Sequence, residues 1–309
     1  MLSLLPLLPL FHVGGPEPTG PLYTHWILDP KIAVFVIVLT GAYLAWVGPL
    51  NRRRPGYENR PVTSVQIRWF LLGQLLLVIA LGPPIDDWSH FFFSSVHMFQ
   101  HLLLMFAVVP CWIKGTPPWV FEPLVRNKVG LALLTWIPRA VPAFLLATLI
   151  IVLWHIPEFY NATLTNEFIH AMQHMFFLVT GFLFFWPLMS TVPESPQLSP
   201  PMKCVYLFLQ TIPSGVIGAT IVYAAPGLYP HYGEATVRPW GISIAEDQQW
   251  GGLMMWVGMN SVFLIMLSII FIKWAMDEER KDREALRNGM LRQRIAPVEE
   301  PAGSHTMIS

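Results

Sequence analysis

Seven stretches of the chain stay apolar for long enough to cross a bilayer, near residues 31–50, 65–82, 92–113, 138–154, 168–189, 203–225 and 250–275. A helix rising 1.5 Å per residue needs about 20 such residues to cross a hydrocarbon core of about 30 Å, and within lipid it satisfies its own backbone groups. The pattern therefore predicts an all-α polytopic membrane protein with seven transmembrane helices. The fourth stretch is short and follows a semi-apolar run, Val129 to Ile137, that suits the membrane surface. Residues 1–30 read as an N-terminal segment outside the bundle, 31–275 as the bundle, and 276–309 as a charged tail. Met1 to Phe11 is apolar but too short to span and is broken by Pro6 and Pro9. It also lacks the positive start and cleavage site of a signal peptide, which fits an interfacial segment. Asp277 to Arg294 mixes both charge signs and reads as a solvated extension of the last helix, with docking to anionic lipid or a partner subunit as the alternative.

Composition narrows the class. Hydrophobic residues make up 54% of the 309 positions and charged ones 12%, against about 25% charged in an ordinary soluble domain. Zero formal charge excludes a nucleic-acid binder working by bulk attraction, and two cysteines exclude a disulfide scaffold. The sequence contains no Gly-rich phosphate loop, no nucleophile elbow and no His-Glu-x-x-His motif, so hydrolysis and phosphoryl transfer have no visible apparatus. The expectation is a protein that is not an enzyme. Lys and Arg mark the cytoplasmic side of short loops. With the N-terminus outside and the C-terminus inside, 17 of the 19 basic residues fall inside, leaving Lys31 and Arg238 outside.

In that orientation nine of the ten histidines lie in outer loops or outer halves of helices, with His305 alone inside. Four form a repeated pattern. His97, Gln100 and His101 open the third stretch, and His170, Gln173 and His174 open the fifth, both as H-x-x-Q-H. Offsets of three and four put the members of each set on one helix face, with the two imidazoles one turn apart. Pro84 and Pro157 each precede the second histidine by 17 residues, so the two regions look like a duplicated helix pair meeting at a shared site. An imidazole in hydrocarbon is costly unless it faces a partner or a cavity, and four at equal depth point to a metal site open to the outside. Met98, Met105, Met172, Met175, Met254, Met255 and Met259 lie in the same outer halves. Thioether and imidazole together suit copper, especially Cu(I).

Other features serve chemistry or architecture equally well. Trp154-His155-Ile156-Pro157-Glu158 closes the fourth stretch, and His155 there either completes a metal shell or sits in an interfacial anchor. Asp247 stands where it can cap the start of the last helix, while Gly251 and Gly252 permit close helix approach. Pro213, Ser214, Gly215 and Gly218 suggest a kinked, tightly packed sixth helix. Cys111 and Cys204 fall at the inner ends of their helices, without neighbours to complete a thiolate site.

The two H-x-x-Q-H helices occur together with Trp154-His155-x-Pro157 followed by Tyr160 and Ala162-x-Leu164, with Phe185-Trp186-Pro187, and with Asp247-Gln248-Gln249-x-Gly251-Gly252-x-x-Met255-Trp256. In this ordered set the sequence resembles the seven-span cytochrome c oxidase assembly factor CtaG family from about residue 25 to 275; it does not resemble the single-span copper chaperone of the same name. The resemblance implies a multi-pass protein of the bacterial plasma membrane that helps a haem-copper oxidase mature by bringing copper to it. Its partners would be oxidase subunits and the lipid bilayer. It also implies His97, His101, His170 and His174 as metal ligands, with His155 behind them. Two rivals stay open: a haem-binding membrane protein or haem-modifying enzyme with axial histidines, and a copper or proton transporter. A transporter needs polar groups continuing inward, and beyond Met105 the third stretch offers only Cys111.

Overall fold

The computed structural model describes residues 28–53, 56, 60–195, 197–233 and 239–295, with side chains as far as 288. Met1 to Phe11, His12, His25, Arg238, His305 and residues 296–309 lie outside the described residues. Among those described, every regular element is helical. Six helices are long and apolar enough to cross a membrane, and a bent pair counted as one span makes seven.

The first helix, α1 (Pro30–Leu50), begins at Asp29, whose carboxylate accepts from the Lys31 backbone N–H, and loosens into a π-turn where Gly48 and Pro49 interrupt the ladder. α2 (Ser64–Leu81) starts with a reciprocal cap between Thr63 and Gln66. Then come the short α3 (Ile85–Phe91) and the long α4 (Ser94–Gly115). α4 widens into a π-turn at Leu104–Val108, one turn past His101 and just before Pro110, whose missing N–H and bulky ring disfavour a tight ladder there. After the small α5 (Glu122–Arg126), α6 (Lys128–Trp136) meets α7 (Ala140–His155) at an 81° bend. α7 has 16 residues and rises about 24 Å, short for a full crossing. α8 (Pro157–Thr165), α9 (Glu167–Met189) and α10 (Pro200–Tyr223) follow. α11 runs from Ile244–Leu253 through a π-turn at Met254–Gly258 into Met259–Ile295.

The repeat seen in the sequence has a structural counterpart. In each half a long helix (α2, α7) is followed by proline, a short helix (α3, α8) and then a helix opening on H-x-x-Q-H (α4, α9). α4 and α9 are the most enclosed helices of the bundle and pack directly on each other. Gly181 lets them close: a Cβ there would stand 2.9 Å from Val109 Cγ2 and 3.1 Å from Met105 Cα. The starts of α1, α4, α9 and α11 and the ends of α2, α7 and α10 meet at one end of the bundle. The opposite end carries the Arg60–Glu122 ion pair and Lys114 over the Trp69 ring.

Two expectations change. The last helix starts at Ile244, six residues before the apolar run, because Ser243 and Glu246 cap it reciprocally. Asp247 therefore does not cap its own helix. Its carboxylate instead accepts the backbone N–H and the hydroxyl of both Ser94 and Ser95, at 2.5–3.1 Å, and so caps α4. Gln248, next to it, accepts from the N–H groups of Gly227 and Leu228 and donates to the carbonyls of Ile221, Ala224 and Ala225. Gly252 meets Gly218 across the α10–α11 interface, where a Cβ on either would come within 3 Å of backbone atoms. Pro213 sits inside an unbroken α10.

Candidate metal centre

The centre is made where the first turns of α4 and α9 face each other. Its depth follows from the capping: Asp247 pins the start of α4, and the Asn166 side chain accepts from Ile169 N–H to start α9, so both H-x-x-Q-H sets begin level. His97, His101 and His174 are buried and each offers one ring nitrogen, the three lying within 4.8 Å of one another. His170 stands beside them, its ring centroid 4.3 Å from that of His174 and 5.5 Å from that of His97.

Hydrogen bonding separates these rings. His97 has a neighbour at both nitrogens: Nε2 lies 3.1 Å from Gln173 Oε1, and Nδ1 lies 3.3 Å from the Tyr232 hydroxyl. Tyr232 donates its proton to the Ser89 carbonyl at 2.7 Å, so a lone pair of its oxygen faces the imidazole. With Gln173 Oε1 facing it, Nε2 carries the ring proton; the Nδ1–H form, which satisfies the Tyr232 lone pair and leaves Nε2 basic, requires the Gln173 amide to turn its NH2, which has no other protein partner, toward the ring. Burial pushes the phenols of Tyr229 and Tyr232, outside the membrane-spanning helices, above their ordinary range, which keeps them protonated. His101 contrasts with His97. No protein group bonds either of its ring nitrogens, and Nε2 of His170 and of His174 is likewise without a partner. Phe177 stacks on the His101 ring at 3.8 Å.

The two glutamines, equivalent in sequence, differ in what they hold. Gln173 reaches across to His97, while Gln100 donates to the Ala80 carbonyl and to Asp86 Oδ1, both at 2.9 Å, and ties α4 to the α2–α3 corner. His155 is outside the triad: its Nδ1 bonds the Ile151 carbonyl of its own helix, its Nε2 is buried without a protein partner, and Phe177 packs against both it and His101. Met98, Met105, Met255 and Met259 belong to the apolar core, and Met175 lines a cavity beside the centre. Cys111 and Cys204 are free thiols, Cys111 packed where Gly73 of α2 meets α4.

Sequence reasoning did not single out Tyr232 or His90. Tyr232 comes from the loop between α10 and α11, which Gln248 folds back over the centre. His90 ends α3, with its ring 5.6 Å from that of His170.

The chain is 24% identical to an uncharacterized protein of Mycobacterium bovis and to one of Mycobacterium tuberculosis, over 89% of this chain and 44% of theirs. It is 25% identical to an uncharacterized protein of Mycobacterium leprae, over 85% of this chain and 42% of that one. The chain thus spans less than half the length of the curated relatives it matches. No solved structure matches. The model of the cytochrome c oxidase caa3 assembly factor family matches residues 41–277, a stretch that holds both H-x-x-Q-H helices, the Asp247 cap and the loop carrying Tyr232, and the chain belongs to that family.

Proposed function

We propose that this protein binds copper through His97, His101 and His174, in the half of the bundle facing outward from the bacterial plasma membrane, and passes it by ligand exchange to a haem-copper oxidase subunit during assembly. The observation that carries this reading is His101, enclosed on all sides, with neither ring nitrogen bonded to protein and two further imidazoles within reach of one ion. A buried polar atom left unsatisfied costs about 1–3 kcal/mol, and a metal ion is the ligand that relieves several imidazoles at once. Three neutral nitrogen donors suit copper, whereas magnesium and calcium demand oxygen. At His97 the ion takes Nε2 once the ring proton that Gln173 Oε1 accepts there stands on Nδ1 instead, where the Tyr232 oxygen accepts it and so fixes the ring. Delivery needs no covalent chemistry, which agrees with a role that is not enzymatic.

The packing disfavours the rivals. A haem held between two of these rings needs a planar slot, but the His97 and His101 centroids are 4.3 Å apart and Phe177 covers the second. A transporter needs polar groups further along, and beyond the histidines the interface is filled by Met105, Val109, Phe106, Phe184 and Phe263.

The test compares wild type with His101→Ala and His174→Ala. Purified wild type should carry copper and the variants should lose it. In cells short of copper, both variants should reach the membrane while oxidase activity falls. Added copper should partly restore that activity by mass action on the recipient. Full oxidase activity in the variants under copper limitation would overturn delivery.

A further inference from the structure

A cavity of about 260 Å³ opens beside the centre, between α1, the α2–α3 corner and α9. Asp29, Asp86 and Glu167 line it together with His90, His170 and His174, and Lys31 pairs with Glu167 at its wall. The lining changes character with depth. Carboxylates, which attract cations, give way to imidazoles, which hold soft ones. The imidazole face of the cavity leads to the triad: His90 to His170 at 5.6 Å between ring centroids, His170 to His174 at 4.3 Å, and His174 to His101 at 5.8 Å.

Those separations match a shared ion. With a metal–nitrogen bond of about 2 Å and a further ~1 Å from nitrogen to ring centre, two imidazoles on one ion stand at most about 6 Å apart between centroids. Every step in the series is within that limit. His90 is itself buried, so a cation reaching it has left bulk water but has not yet reached the triad.

We propose that His90 and His170 form a loading site for monovalent copper at the wall of this cavity, from which the ion moves to the triad with His170 as the shared ligand. The inference rests on the reading of the triad as the copper centre. The transfer balances without an oxidant, a reductant or a net proton: the bond from copper to the His90 nitrogen breaks as the bond to His174 forms, the bond to His170 then breaks as those to His97 and His101 form, and the metal stays Cu(I) throughout. The carboxylates gather the cation and the imidazole pair selects it for softness.

The experiment follows loading of the full-length protein in lipid nanodiscs, without oxygen, from Cu(I) presented as its bicinchoninate complex. It reads the rate at which the complex is consumed and the copper retained at the end. Wild type should load quickly and retain a tightly held equivalent. His90→Ala and the bulkier His90→Gln should load more slowly by roughly tenfold or more, yet reach the same final content, as expected when only an outlying ligand is lost. Equal final content also shows that the variants are folded. His101→Ala should lose the tight equivalent while keeping the fast early phase. Loading of both His90 variants at the wild-type rate would overturn the loading site, as would loss of the tight equivalent, which would place His90 in the final centre. Wild type retaining no copper would remove the triad reading and this inference together. Loss confined to His101→Ala, with no effect at His90, would leave the triad standing alone.

Discussion

Asp247 caps the helix of another segment: its Oδ2 accepts from the Ser94 backbone N–H at 2.7 Å and from the Ser94 hydroxyl at 2.8 Å, across 153 residues of sequence. Helix α4 thus has its start, and the level of His97 and His101, set by α11. Asp247→Ala should cost about 2–3 kcal/mol, because hydrogen bonds to a carboxylate are strong and the orphaned donors stay buried. Glu246→Ala, which removes only the exposed bonds that its carboxylate accepts from the Ser243 N–H and hydroxyl and leaves the Ser243 cap in place, should cost less than about 1 kcal/mol. Thermal midpoints of the two variants check the contrast, and equal losses would contradict it.

His101 should trade stability for binding. Its ring nitrogens have no protein partner, so metal-free His101→Leu should be more stable than metal-free wild type by about 1–2 kcal/mol while failing to hold copper. Denaturation of both proteins after chelation measures this. A less stable variant would show that the imidazole is satisfied without metal.

Gly181 tests the link from packing to site. Gly181→Val has to push α4 away from α9 at Met105 and Val109, at an overpacking cost of about 1–3 kcal/mol, and should weaken copper binding by separating His101 from His174. Gly41→Ala, where an added Cβ meets nothing within 4 Å, should leave binding unchanged. Copper titration of the pair reads the difference.

Orientation is open to a direct test. A reporter fused after Ser309 should be active only in the cytoplasm, and one inserted after Glu234 only outside. The reverse pattern would put the histidines on the wrong side for the proposed delivery.

The thiols should be bystanders. Cys111→Ala and Cys204→Ser should retain wild-type copper content, since both residues lie far along their helices from His101 and His174. Copper lost from either variant would bring a thiolate back into the site.

The parts of this structure that were readable beforehand are those written locally. Hydrophobic runs placed the long helices to within a few residues, except where the Ser243–Glu246 cap starts α11 early. Offsets of three and four within 97–101 and 170–174 announced two histidine faces, and the repeated proline spacing announced the paired units around them. What escaped depends on chain folded back from a distance. Tyr232 reaches His97 only because Gln248 holds the preceding loop, and nothing near His231 in sequence says so. His155 is not decided by its neighbours: its Nδ1 bonds a carbonyl one turn back on its own helix and its Nε2 has no protein partner, an arrangement that an interfacial anchor and a metal ligand share. The two glutamines share a motif position and differ because only one faces α9's partner ring, a distinction that helix periodicity does not contain.

The segment Met259–Ile295 is a single uninterrupted helix. From Asp277, where the charged residues become dense, to Ile295 it advances about 27 Å at 1.5 Å per residue. That length makes it a mast. Its exposed ion pairs, Arg280 with Asp277, Lys281 with Glu278 and Arg283 with Glu279, present alternating charge along the first turns past the apolar stretch. A protein that grips this axis is held at a set height from the bilayer, at the end of the molecule remote from the imidazoles, and so can be recruited without obstructing them.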